Sequence, residues 1–73
     1  MATVRISDWA VGFNKVAHTD LLREAAGLGL ADAKHLTDAV LRRESVWVTV
    51  SSGPAAERLV ERLREIGAVA NVV

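Results

Sequence analysis

Few residues in this chain of 73 are able to do acid–base, nucleophilic or metal chemistry: two histidines, four serines and nine acidic side chains, with no cysteine. His18 and His35 stand on separate predicted helices, and no cluster of His, Asp or Glu at helical spacing accompanies them as a metal site requires. The serines have no His–carboxylate pair nearby in the sequence. We therefore predict no catalytic residue, no metal ligand and no bound cofactor, and we expect that the protein is not an enzyme.

A glycine pair, Gly27 and Gly29, flanks Leu28 and has to be compared with phosphate-binding loops. No strand precedes the pair, no third glycine stands at the fingerprint spacing, and no Lys-Ser or Lys-Thr pair follows. The two glycines instead predict a tight reversal between two helices, and alanines on both sides allow the helix backbones to approach closely.

Charge and length exclude further classes of protein. Nine Lys and Arg balance nine Asp and Glu, whereas binding of nucleic acid through bulk electrostatics needs a surplus of cations. No apolar run approaches the ~20 residues that cross a bilayer, and no signal-peptide pattern opens the chain. We expect one small cytoplasmic domain, residues 1–73, that binds neither nucleic acid nor a membrane.

Hydrophobic periodicity and Gly or Pro breaks divide the chain into six elements. In chain order they are a strand at 3–9, helices at Lys15–Ala26 and about 30–43, a strand at Val46–Val50, a helix at about 55–66 and a strand at 68–73. Every connection is short, and each element has one apolar side to bury. We therefore predict an α+β fold of two layers, β-α-α-β-α-β. Three helices cover one face of a three-stranded antiparallel sheet of order 2-1-3.

The other face of this sheet is predicted to be open to solvent. If Val46, Val48 and Val50 face the helices, the residues that alternate with them face away. We define the open sheet face by five such outward residues: Arg5, Trp47, Thr49, Val69 and Val73. An exposed apolar patch with a polar rim often marks an interface, so this face is a candidate for homodimerisation or for binding another protein.

The helix pair itself is the most informative region. Lys15, Arg23 and Lys34 have spacings that bring cations to the rim of the pair. The segment Asn14-Lys15-Val16 together with Gly27-Leu28-Gly29-Leu30-Ala31-Asp32-Ala33-Lys34 resembles the C-terminal domain of the bacterial ribosomal stalk protein. In that family Asn-Lys-Val opens the first helix, and a Gly-Leu-Gly-Leu-x-x-Ala-Lys run joins it to the next. The resemblance extends over nearly the whole chain.

The resemblance implies a function and a set of binding residues. The stalk family recruits translation GTPases through the rim of this helix pair, and the matching positions here are Lys15, Val16, Arg23, Gly29, Leu30 and Lys34. An apolar centre ringed by cations suits an acidic helix, with the charges steering the encounter. We expect a non-catalytic protein-interaction module whose partner is a translation GTPase.

A second family shares the predicted topology, the ClpS-type adaptor that delivers substrates to a protease. That family has an Asn-Asp-Asp loop after the first strand and a histidine in the second helix, and here Ser7-Asp8-Trp9 and His35 stand in loosely comparable places, without the Asn-Asp-Asp sequence. The similarity is one of fold alone. A ClpS-like adaptor, or a homo-oligomerising module that uses the open sheet face, is therefore the alternative prediction.

Overall fold

The computed structural model describes residues 1–73 and has the predicted α+β architecture. Its elements are β1 (Ala2–Trp9), α1 (Lys15–Ala26), α2 (Leu30–Leu41), β2 (Val46–Val50), α3 (Gly53–Glu65) and β3 (Ala68–Val72). The three strands form one sheet in the order β2-β1-β3, and both pairings are antiparallel. None of the three helices has the length and apolar character needed to cross a membrane.

Alternation in β2 sets which side of the sheet is buried. Val46, Val48 and Val50 are buried against the helices, while Trp47 and Thr49 are exposed. This is the predicted pattern, and it follows because successive side chains of a strand point to opposite faces. The core lies between the sheet and the helices, and its largest fully buried side chains are Ile6, Leu22, Leu63, His18, Val4 and Val40.

A bulge interrupts β1 near its end, which simple alternation did not predict. The register between β1 and β3 shifts between Ile6 and Asp8, and such an extra residue re-aims the side chains that follow it. Trp9 then donates from its indole Nε1 to the carbonyl of Leu41 at 3.0 Å. The Arg43 guanidinium lies 4.7 Å from the centre of the same ring and pairs with Asp8. Asp8 and Trp9, which follow the bulge, thus connect the end of β1 to the end of α2.

Two helix boundaries differ from the prediction. The second helix ends at Leu41 rather than near position 43, because Arg43 takes a left-handed conformation with φ 63°. The Glu44 N–H then bonds to the carbonyl of Ala39, as in a Schellman helix end. The third helix begins at Gly53 rather than near 55, because the Ser52 hydroxyl accepts a bond from the Ala55 N–H at 3.2 Å.

Candidate functional site

A groove lies between α1 and α2 on the helical side of the molecule. We call it the helix-pair groove. It has a volume of about 300 Å³ and is lined by Lys15, Val16, Thr19, Asp20, Leu30, Lys34, Thr37 and Asp38. Val16, in the first turn of α1, is 65% exposed, and Leu30, which opens α2, is 49% exposed. Two large apolar side chains are therefore presented to solvent in one depression.

The charges of the groove are balanced, which departs from the predicted cationic rim. Lys15 and Lys34 line it together with Asp20 and Asp38. The ion pairs of the structure join Arg42 to Glu44, Arg43 to Asp8 and Arg62 to Glu24. None of the four groove charges forms an ion pair within the chain, so two cations and two anions can contact a partner.

Four of the six residues that the resemblance selected come together in this groove: Lys15, Val16, Leu30 and Lys34. Arg23 does not, and it borders a neighbouring depression with Asp20, Glu24, Gly27 and Leu28. Gly29 lies at the N-cap of α2 with an ordinary negative φ. A Cβ at Gly29 meets nothing within 4 Å, so the backbone does not require glycine there.

The six binding residues implied by the resemblance leave out the other half of the groove, namely Thr19, Asp20, Thr37 and Asp38. A helical spacing of four relates Lys15 to Thr19, Val16 to Asp20 and Lys34 to Asp38. Residues four apart share one face of a helix. That spacing was available in the sequence and would have found three of the four missed positions.

Two threonine hydroxyls under the groove connect α1 to α2. Thr19 Oγ1 lies 2.9 Å from Thr37 Oγ1. Each hydroxyl also lies 3.0 Å from the carbonyl one turn earlier in its own helix, that of Lys15 for Thr19 and that of Ala33 for Thr37. Both threonines are buried. This hydrogen-bonded pair holds the two walls of the groove at a defined separation.

His18 is the third side chain of this buried hydrogen-bonded network. Its Nδ1 lies 2.7 Å from Thr37 Oγ1, and its side chain is completely buried beside the Phe13 ring. When the single hydrogen of Thr37 goes to the Ala33 carbonyl, Nδ1 must carry the proton and donate to Thr37. The other nitrogen, Nε2, has no hydrogen-bond partner. Burial lowers the pKa of His18 from 6.5 to about 4, so the ring is neutral at pH 7.

The open sheet face lies on the layer opposite to the groove. All five of its residues are exposed, and the side chain of Trp47, the largest of them, is 58% exposed. The Arg5 guanidinium lies 5.9 Å from the centre of the Trp47 ring and donates to the Ser45 hydroxyl at 3.1 Å. The structure thus places the predicted residues of this face on one side of the sheet, with a single cation among them.

No group of three or more His, Cys, Asp or Glu side chains in the structure is arranged to hold a metal ion. No protein-family model matches the chain, and no curated protein matches it significantly. The geometry of the molecule is therefore the basis on which its function is inferred.

Proposed function

We propose that the protein is a non-catalytic protein-interaction module whose helix-pair groove binds an amphipathic helix of a translation GTPase. The observation that carries this proposal is the pair of exposed apolar side chains, Val16 and Leu30, in one groove with four charged residues that form no ion pair. The resemblance to the ribosomal stalk domain supplies the class of partner, since it covers the same helix pair.

The shape of the groove favours a helix over a small ligand. It is an open depression with two apolar residues among eight lining residues, whereas small-molecule sites are mostly enclosed and apolar. A bound amphipathic helix supplies apolar anchors at i, i+3 or i+4 that suit two exposed side chains on neighbouring helices.

The balanced charges define the partner more closely. Lys15 and Lys34 favour acidic side chains, while Asp20 and Asp38 favour basic ones. A uniformly acidic helix leaves both aspartates facing like charge, which opposes binding. We therefore expect a partner helix that carries both signs beside its apolar anchors.

The binding test is calorimetric titration of the chain with a purified translation GTPase. We expect the wild type to bind, and the double variant Val16→Ser, Leu30→Ser to bind at least tenfold more weakly because both apolar anchors are lost. The matched control is Val69→Ser, which makes the same chemical change at a 44% exposed valine on the opposite layer and should leave the affinity unchanged.

Charge reversal supplies a second arm of the same titration. Lys34→Glu should weaken binding, and Asp38→Lys should weaken it by a comparable factor if the partner helix carries both signs. Circular dichroism of each variant establishes that the fold is retained. A wild type that does not bind the GTPase, or a double variant that binds as well as the control, would contradict the proposal.

A further inference from the structure

The outer edge of β2 is an unpaired strand edge, and we infer that it pairs with the same edge of a second copy of this chain. The two copies would join antiparallel about a two-fold axis into one continuous six-stranded sheet, in the order β3-β1-β2-β2-β1-β3. This surface shares no residue with the helix-pair groove and does not depend on the function proposed above.

The hydrogen bonds of the sheet identify which backbone groups are free on this edge. The Val73 N–H donates to the carbonyl of Thr3 at 2.9 Å, so Thr3 directs its backbone groups toward β3. Residues alternate along an antiparallel ladder, so Arg5 also faces β3 while Val4 faces β2. The β2 residues opposite Thr3 and Arg5 are Thr49 and Trp47. Their N–H and C=O groups therefore point out from the free edge.

The other edge of the sheet, on β3, is capped by a side chain. Arg64 Nη2 donates to the carbonyl of Ala70 at 3.1 Å and lies 3.4 Å from Asn71 Oδ1. The other hydrogen bonds between a side chain and the backbone lie elsewhere in the molecule, and none of them involves a residue of β2. Pairing between β2 and β3 of different copies is opposed by the arginine, which leaves the closed β2–β2 arrangement rather than an open chain.

The composition of β2 suits pairing with itself. The strand Val46–Val50 has neither a charged residue nor a proline, the residue types that natural proteins place on edges to prevent pairing. A two-fold axis at Val48 sets Trp47 opposite Thr49 of the second copy. This pair exchanges two hydrogen bonds, and its symmetry mate exchanges two more. The exposed Trp47 ring then packs on a β-branched residue, a favourable cross-strand pair.

Repulsion between like charges is weaker when two copies meet at the β2 edge than when they meet through the open sheet face. In the edge register, Glu44 lies opposite Ser52 and Ser45 lies opposite Ser51, so no like charges meet. The two Arg5 side chains are separated by three strand spacings, about 14 Å, beyond a Debye length of ~8–10 Å. Stacking of the two faces instead brings these arginines toward each other near the centre of the contact.

Sedimentation velocity across a range of protein concentrations tests the inference. The contact is small, so we expect a weak dimer with twice the 7.8 kDa mass at high concentration. Thr49→Pro removes an edge N–H that β1 does not use and should raise the dissociation constant at least tenfold. Val72→Pro is the matched control. Val72 lies opposite Val4 in a pair that is not hydrogen-bonded, so its N–H points out from the free edge of β3. This variant should leave the dimer intact.

Amide exchange in the unmodified protein gives a readout that does not depend on proline. The Trp47 and Thr49 amides should exchange more slowly as the protein concentration rises, while the Ala70 and Val72 amides should not change. A monomer at every concentration overturns the inference, as does equal loss of the dimer in both proline variants. Protection of Trp47 and Thr49 only when an extended peptide is added also overturns it, because the edge then belongs to a different partner.

Discussion

His18 shows how one buried side chain makes the stability of this protein depend on pH. The neutral ring is favoured in the folded state because burial lowers its pKa to about 4, whereas the ring in the unfolded chain titrates near 6.5. Between these two values the unfolded chain binds more protons, so the free energy of unfolding falls as the pH falls. The full stability is present above pH 6.5 and the loss is complete near pH 4.

We predict that the contribution of His18 to the free energy of unfolding decreases by up to about 3 kcal/mol between pH 7 and pH 4. Domains of this length have a total of roughly 4–10 kcal/mol, so the loss is a large fraction. His18→Asn keeps an N–H near the position of Nδ1 but does not titrate. Urea unfolding at a series of pH values should show a lower stability at pH 7 and a shallower pH dependence.

The matched control is His35→Asn, since His35 is exposed on α2 whereas His18 is buried. Its pH dependence should follow that of the wild type. Equal slopes in His18→Asn and in the wild type would show that His18 does not cause the acid sensitivity.

At the scale of elements, the turn between α3 and β3 depends on one glycine. Gly67 has φ 92°, in the region that side chains rarely adopt, and a Cβ there would lie 2.9 Å from the Phe13 Cα. The Asn14 N–H also donates to the carbonyl of Ile66 at 3.0 Å. The start of α1 is thus packed directly on this turn, and the backbones approach too closely for any side chain.

We predict that Gly67→Ala lowers the free energy of unfolding by at least about 2 kcal/mol, since backbone strain alone is worth ~1–2 kcal/mol and the contact with Phe13 adds to it. Gly12→Ala is the matched control, because Gly12 has the same φ of 92° but no atom within 4 Å of its would-be Cβ. Denaturant unfolding should find that Gly12→Ala loses only the part due to backbone strain, and therefore less than Gly67→Ala. Similar losses in both variants would contradict the steric argument.

At the scale of the whole molecule, Trp9 joins the sheet to the helical layer. Its Nε1–H bonds to the last carbonyl of α2, that of Leu41, at 3.0 Å. The ring also packs against Phe13, 6.2 Å between centroids. The second tryptophan, Trp47, is 58% exposed on the open sheet face. The two residues therefore have different roles despite their identical chemistry.

We predict that Trp9→Phe destabilises the protein by at least about 1 kcal/mol, since the hydrogen bond to Leu41 is lost and the smaller phenyl ring packs less well than the indole. For a domain of this size that corresponds to a fall in Tm of about 4–8 °C. Trp47→Phe, measured at a concentration where the chain is monomeric, should change Tm by less than half of that. Calorimetry on both variants checks the prediction, and a larger effect of Trp47→Phe would contradict it.

Local patterns in the sequence were sufficient to predict the order of the elements along the chain and the sheet order β2-β1-β3. Alternation in Val46–Val50 is present as predicted, and the cap of α1 by Asn14 and the left-handed Gly27 at its end are likewise local features. Four of the six residues that the resemblance to the stalk family implied, Lys15, Val16, Leu30 and Lys34, line one groove in the structure. Periodicity determines which side of each element is apolar, and short connections leave few ways to bury these sides together.

The tertiary structure alone decided the features that depend on residues distant in the sequence. Arg23 and Lys34 both lie on exposed helix surfaces, but Lys34 lines the groove whereas Arg23 borders a neighbouring depression. The bulge in β1, the burial of His18 under Thr37 and the cap of Arg64 on β3 likewise arise from contacts between elements. Local periodicity carries no information on such contacts, because they depend on how complete elements pack.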